Sequence, residues 1–292
     1  TMDEITGFAQ SMRSKSNRVQ TQMYDLLDTC GTGGDGAKTF NISTASAIVA
    51  AAGGVRVAKH GNRAMSSKSG SADVLEALGV NIELNQKAAE QCLEQVGICF
   101  MFAQLYHQSM KHVAGPRKEI GFRNVFNLLG PLTNPAGADR QLMGVYDRNR
   151  TEVLGTKPRV LKVARVTVVS SHAGLAELSL SAPTQVTELK DGTISTYHIT
   201  PEELGLQTSS LSEIAGGTAE ENAAIIRAVF LGEKGPRRDV IAANAGACLY
   251  ITGRCNTLRE GVQLAEELID SGKAMEKLQQ LIECTGELSH VS

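Results

Sequence analysis

Residues 28–44 read DTCGTGGDGAKTFNIST, and four glycines fall within the six residues 31–36. Glycine loses more conformational freedom on ordering than any other residue, so such a run is costly unless bare main chain is needed. Ahead of a helix N-terminus, a glycine-rich loop turns backbone N–H groups toward an anion, and the helix dipole adds partial positive charge. Thr39, Asn41, Ser43 and Thr44 then bring hydroxyl and amide donors. No lysine-then-hydroxyl pair closes the run and it is not G-x-G-x-x-G, so it is neither a P-loop nor a dinucleotide fingerprint. Two readings stay open on spacing alone: an anion cradle and a tight structural turn.

A second stretch, AKHGNRAMSSKSGS (58–71), sets Lys59, His60, Arg63 and Lys68 among glycines, serines and Asn62. It follows an apolar strand and precedes a helix, which puts it at the carboxyl edge of the sheet, where α/β folds bind ligands. Two anion-ready loops at one edge suit a ligand with more than one phosphate; a solvated charged loop is the plainer alternative. A third stretch, residues 107–135, carries Arg117, Lys118 and Arg123 and ends in NLLGPLTNP, a rigid turn-forming segment. An arginine holds a carboxylate through two parallel hydrogen bonds. Arg117 therefore suits either a carboxylate on a second substrate or a surface ion pair, and spacing does not separate the two.

These loops need a scaffold. Residues 2–13 place apolar side chains at helical spacing, and RSKSNRVQTQ reads as a linker. Helices are expected at 44–54, ending on Gly53 and Gly54, at 71–80 with Ser71 as N-cap, and over QKAAEQCLEQVG. VRVAKHG, ICFMFA, 144–146 and 164–171 read as strands, and 184–199 as a hairpin turning at Asp191-Gly192. TPEELG carries a capping box, Thr200 with Glu203, and so opens a helix. The last ninety or so residues are mostly helical, packed on the sheet, with some returning to the N-terminal helix. Strands alternating with helices predict an α/β fold with parallel pairing.

Bulk properties exclude several classes. With 292 residues, 42% hydrophobic and 21% charged, the chain has the composition of a globular protein with a sizeable core. A net charge of -2 gives no global attraction to nucleic acid or to an anionic membrane. Six cysteines without a CxxC pair lack metal-ligand spacing and read as reduced thiols. No secretory h-region and no membrane-spanning apolar run is present, so a cytoplasmic location is expected.

Taken together, GTGGDG, TFNIST, VAKHGNR, GSAD, LEALG and FNLLGPLTNPA resemble the signature blocks of the anthranilate phosphoribosyltransferase family. The resemblance runs from about residue 2 to the last helices and is densest over 28–147. It implies a large α/β domain of nucleoside-phosphorylase type (21–292). A small, N-terminally shortened helical domain (1–20, with some inserted helices packing on it) accompanies it, and the family is usually homodimeric. It implies transfer of the phosphoribosyl group of phosphoribosyl pyrophosphate to the amine of anthranilate, with release of pyrophosphate and with Mg2+. By resemblance, Gly31, Gly34, Asp35, Thr39, Asn41, Ile42, Ser43 and Thr44 hold the sugar diphosphate, and Lys59, His60, Gly61, Asn62, Arg63, Ala64, Met65, Ser66 and Ser67 wrap its phosphates, with Ser71 beyond them. Gly31, Asn62, His107 and Arg117 face anthranilate, Arg117 through its carboxylate, and Ser43 and Glu177 ligate the metal. No catalytic acid or base is implied, because an arylamine is neutral at pH 7 and already nucleophilic.

Two features depart from the family pattern. Its adjacent Asp-Glu pair is here Ala176-Glu177, so a hard cation loses a carboxylate and magnesium affinity should fall. Pro158 interrupts a stretch where a smooth amphipathic helix is expected. Alternative readings are a pyrimidine nucleoside phosphorylase of the same fold and a catalytically weakened relative that binds phosphorylated ligands or nucleic acid. KHGNR and NLLGPLTNP argue against the first, and the net charge against nucleic acid.

Overall fold

The computed structural model describes residues 2–64, 68–110, 115, 119, 125–156 and 163–289. One seven-stranded sheet runs in the order β3-β2-β1-β4-β5-β6-β7. Its strands are β1 (Leu26–Asp28), β2 (Arg56–Gly61), β3 (Ile98–Phe102), β4 (Arg140–Gly144), β5 (Arg165–Ser171), β6 (Thr184–Lys190) and β7 (Thr193–Ile199). Pairing is parallel from β3 through β5 and antiparallel from β5 through β7. The β6–β7 hairpin turns at Asp191 and Gly192, both at positive φ (49° and 78°), as a primed turn requires.

The strand expected at 144–146 lies earlier. Arg140 to Gly144 pair residue for residue with Arg165 to Val169, and the apolar Val145 and Tyr146 only prolong the hydrophobic run past the ladder. The main helices are α1 (Met2–Ser14), α2 (Ile42–Ala52), α3 (Ser71–Ala77), α4 (Gln86–Val96), α5 (Ala219–Phe230), α6 (Pro236–Ile251), α7 (Leu258–Asp270) and α8 (Lys273–Leu288). Gly70, not Ser71, is the N-cap of α3. Asp73 reaches back to accept from Gly70 N–H (2.8 Å), and the Ser71 hydroxyl donates to Asn62 O (3.3 Å). The expected helix at TPEELG stops at a turn. Both capping-box bonds form, Glu203 accepting from Thr200 N (2.7 Å) and Thr200 from Glu203 N (3.3 Å), but Gly205 at φ +84° ends it after one turn.

Alternation along β4 and β5 feeds two cores. Leu142 and Val169 enter the larger one, with β1–β3, α2, α4 and the C-terminal helices. Met143, Val166 and Val168 enter a second, with Ala9 of α1 and Leu128, Leu129 and Leu132. Strands facing two hydrophobic layers must be buried on both sides, which is the usual state of a parallel sheet. α6 packs on α2 and α7, and α8 on α2 and α4. Arg13, in the last turn of α1, donates to Leu132 O (2.7 Å), and Asn17 to Leu105 O (3.0 Å), so the stretch read as a linker is strapped to the body.

From β1 the chain winds outward to β2 and β3, then returns to lay β4 on the other side of β1. That reversal is a topological switch point, where the loops leaving β1 and β4 part and leave a crevice. The two loop bases touch at main chain. A Cβ on Gly31 would lie 2.9 Å from Gly144 O, and one on Gly144 would lie 1.7 Å from Ala176 O. Only glycine permits that approach.

Candidate active site

The loop between β1 and α2 bends through left-handed glycines: Gly33, Gly34 and Gly36 have φ of 63°, 73° and 74°. Such a path curls successive N–H groups into an anion-binding concavity. It ends at the α2 N-terminus, whose N-cap Asn41 makes no side-chain cap. Asn41 Oδ1 instead accepts from Asn222 Nδ2 (2.9 Å), which also donates to Ser69 Oγ (2.8 Å), so α5 ties the first loop to the second. The loop is strapped from behind by a Thr39–Ala215 bridge and by Gly216 N donating to Lys38 O (2.9 Å). Ile42 is packed in the core, and the buried Thr44 Oγ1 has no hydrogen-bond partner among the described residues.

Lys59, on β2, points into the same space. It is 4% exposed, and its ammonium donates to Thr29 Oγ1 (2.9 Å) and Ser43 Oγ (3.4 Å). Burial lowers its pKa, opposed by the charges of Asp28 and Glu177. Asp28 ends β1 and is itself buried. Its Oδ1 accepts from Cys30 N and His60 N (3.1 Å each), and its Oδ2 from Asn134 Nδ2 (2.8 Å). Burial pushes this carboxyl up to about 6 against those donors and Lys59. Ligating atoms of Asp28, Cys30 and His60 lie within 4.8 Å of one another. They make a poor metal site. Asp28 is already committed to three N–H groups, and His60 Nδ1 lies 3.0 Å from Gly130 O.

The other acids lie where the glycine loop meets the loop after β5. Asp35 Oδ2 accepts from Ala176 N (3.1 Å) and Oδ1 from Ala37 N (3.1 Å). Glu177 follows, and its enclosed Oε2 has no hydrogen-bond partner among the described residues. Burial and the nearby Asp35 raise the Glu177 carboxyl to about 8, opposed by Lys59. A carboxylate without a donor is costly to bury. The orphan oxygen and the Ser43 hydroxyl, both close to Lys59, are the oxygen donors that a hard divalent cation takes.

The second loop is partly committed elsewhere. Arg63 is engaged by α3 and β3: its guanidinium bonds Asp73 (2.9 Å) and Glu76 and lies over the Phe102 ring (5.3 Å). Ala64 N is held by Asp73 Oδ2 (3.1 Å), which shapes the loop from its far side. Asn62 Oδ1 accepts from Arg63 N (2.8 Å) and Gln104 Nε2 (3.4 Å), which leaves its NH2 group as the outward donor. Gly61 packs on the Ser71 hydroxyl, where a Cβ would lie 2.4 Å away. Behind it, His60 and His107 meet edge to face with centroids 5.1 Å apart. Burial lowers both to about 4, so both rings are neutral at pH 7. Among the described residues His60 Nε2 has no hydrogen-bond partner, and the His107 ring faces the Thr133 main chain without a well-formed bond. Met65, Ser66, Ser67, Arg117, Lys118, Arg123 and Pro158 lie outside the described residues.

The chain matches the glycosyl transferase family, a/b domain, over residues 23–275. It is 53% identical over 291 residues to the anthranilate phosphoribosyltransferase of Brevibacillus brevis, covering 100% of this chain and 85% of that protein. It is 51% identical over 285 residues to that of Acetivibrio thermocellus, covering 98% and 83%. The chain belongs to the anthranilate phosphoribosyltransferase family. The Thermus thermophilus member superposes with a TM-score of 0.91 at 44% identity, over 98% of this chain and 85% of that one. The Saccharomyces cerevisiae member, solved in complex with PRPP and Mg, superposes at 0.90 and 30% identity, over 98% and 81%. Membership settles the fold expectation of an α/β body of nucleoside-phosphorylase type. Reading the sequence passed over Asp28, Asn134, Gly144 and Asn222. Asp28 and Asn134 sit inside quoted motifs, but a single polar residue at a strand end or in a turn gives no sign of its partner.

Proposed function

We propose that this chain transfers the phosphoribosyl group of phosphoribosyl pyrophosphate to the amine of anthranilate, releasing pyrophosphate. The observation that carries this reading is the convergence of the glycine loop, the uncapped start of α2 and the buried Lys59 at one switch point. The bond from the ribose carbon to the pyrophosphate oxygen breaks, the carbon–nitrogen bond forms, and the amine proton leaves to solvent. Charge grows on the leaving diphosphate. Fixed N–H groups from Gly31 to Thr44, with Lys59, stabilise it without reorganising. Asn62, His107 and Arg117 orient the arylamine, and neutral imidazoles suit its ring better than charged ones.

Ser43 and Glu177 are the residues proposed to hold magnesium, which neutralises diphosphate charge when bound. Ala176 leaves this set one carboxylate short, and Asp35, resting on the Ala176 N–H, is the nearest acid to make good the loss. Residues 1–20 are proposed as part of the small helical domain. Phe8 of α1, 52% exposed, suits the homodimer contact usual in the family.

Loss of anthranilate fluorescence on adding phosphoribosyl pyrophosphate, followed across a magnesium series, tests the reading. Magnesium-dependent consumption is expected. No consumption at high enzyme concentration overturns it in favour of a binding protein.

A further inference from the structure

The Asp28 carboxylate gathers three segments that border the crevice. Cys30, whose N–H it accepts, precedes Gly31 in the phosphate loop. His60, whose N–H it also accepts, leads into Gly61 and Asn62. Asn134 belongs to the turn NLLGPLTNP, and its NH2 group divides between Asp28 Oδ2 and Ala58 O, both at 2.8 Å. A second tie runs alongside, because His60 Nδ1 lies 3.0 Å from Gly130 O in that turn while the His60 ring packs on His107. Asp28 and Asn134 are only 1% and 5% exposed. An apolar residue could fill the volume of Asp28, but it would strand two main-chain N–H groups and one amide N–H in the interior, which is costly. The three segments therefore shift together or leave donors unpaired.

We infer that the Asp28–Asn134 pair is a positioning clasp that makes occupation of the phosphate cradle and order on the anthranilate side depend on each other. Neither residue touches the reacting atoms. A diphosphate seated on the preset N–H groups after Cys30 stabilises the arrangement in which Asp28 keeps all three partners, and that arrangement holds His60, the NLLGPLTNP turn and the His107 ring behind them. Coupling between two sites is reciprocal, so anthranilate tightens the cradle by the same factor.

The inference rests on the proposed function, and the test separates the two. Anthranilate affinity is measured by its own fluorescence, with and without saturating pyrophosphate and magnesium. The wild-type protein is expected to bind anthranilate about fivefold or more tightly when the cradle is filled. Asn134→Ala and Asp28→Asn, the latter setting two amide donors face to face, are expected to bring that ratio to about one. The control is Gln141→Ala, which removes a different support of the same turn, the bond from Gln141 Nε2 to Pro131 O (2.6 Å), and leaves both phosphate loops untouched. It is expected to keep the ratio. The double variant D28N/N134D, which restores a donor–acceptor pair between the two positions, is expected to regain part of it. Where Asn134→Ala does not unfold cooperatively, Asn134→Ser replaces it. A ratio unchanged in the Asn134 variant, or lost equally in Gln141→Ala, overturns the clasp and leaves the proposed function standing. No anthranilate binding by the wild-type protein overturns both.

Discussion

The two walls of the crevice are built on different terms. The wall made by the ends of β1 and β2 is dense with buried partners: Lys59 between two hydroxyls, Asp28 with three donors, Asn222 joining the two loops. On the wall made by the loop after β5, Ala176 offers its N–H and Glu177 Oε2 finds no partner among the described residues. The first wall holds its shape before any ligand arrives, as electrostatic preorganisation requires. The second is left for a ligand to complete. Preorganisation here belongs to the phosphate cradle, and incompleteness to the cation side.

The contrast breaks most completely at Gly144, where the walls meet. Its O accepts from Thr32 N (2.9 Å), and its α-carbon faces Ala176 O. Gly144→Ala drives a methyl into main chain on the opposite wall, which neither side can yield. A loss of about 3 kcal/mol in unfolding free energy is expected, as for overpacking in a rigid site, with activity lost beyond what stability explains. Denaturant unfolding beside the fluorescence assay measures both, and an unchanged midpoint would refute the claim that the walls touch by necessity. Next in size is Lys59→Gln, which keeps length and removes the cation from the preorganised wall. A fall of about 100-fold in kcat/KM for phosphoribosyl pyrophosphate is expected, near 3 kcal/mol of transition-state stabilisation. A fall borne by anthranilate alone would place Lys59 on the wrong substrate.

How much of this could be read from the chain follows the same division. The glycine loop, the KHGNR stretch, the sheet and most helices are written locally, in glycine spacing and apolar periodicity. Gly70 gives no sign of being a cap in the local pattern, because the acceptor comes from Asp73, three residues on, rather than from the cap residue itself. The strand at Arg140–Gly144 was misplaced because Val145 and Tyr146 extend an apolar run that pairing does not follow. Arg63 reads as a phosphate ligand by composition, yet Asp73 and Glu76 on α3 claim its guanidinium. In each case the deciding partner lies across a turn or on another element, where periodicity has no reach. Asn134 is the extreme instance: its meaning depends on Asp28, separated from it by more than a hundred residues.

The incomplete wall sharpens the comparison through Ala176→Asp. A second carboxylate beside Glu177 gives a hard cation another oxygen ligand. The rate at limiting magnesium is expected to rise about threefold to tenfold, while the rate at saturating magnesium changes less. Isothermal titration of the cation supplies a readout independent of turnover. An unaltered magnesium dependence would show that Glu177 and Asp35 already satisfy the ion, and that the wall is complete as it stands.

The smallest expected effect concerns the neutral imidazoles behind the cradle. Both are held at about 4 from an ordinary 6.5, so the unfolded chain takes up protons that the folded one refuses. Each histidine therefore withdraws stability as pH falls from 6.5 toward 4. Asp28 acts oppositely. With its carboxyl raised from 3.8 to about 6, the folded chain binds the extra proton, and stability falls as pH rises over nearly the same interval. Glu177, raised from 4.5 to about 8, acts in the same sense as Asp28, so the two carboxyls largely offset the two histidines and the wild-type protein is expected to hold nearly constant stability across this range. His107→Gln removes one histidine contribution and leaves the carboxyls in excess. Its stability is expected to rise as pH falls from 6.5 to 4, by roughly 2 kcal/mol relative to wild type. Unfolding midpoints across that range decide it: parallel wild-type and variant curves would mean that the His107 ring is hydrated in solution and belongs to the open wall rather than the preorganised one.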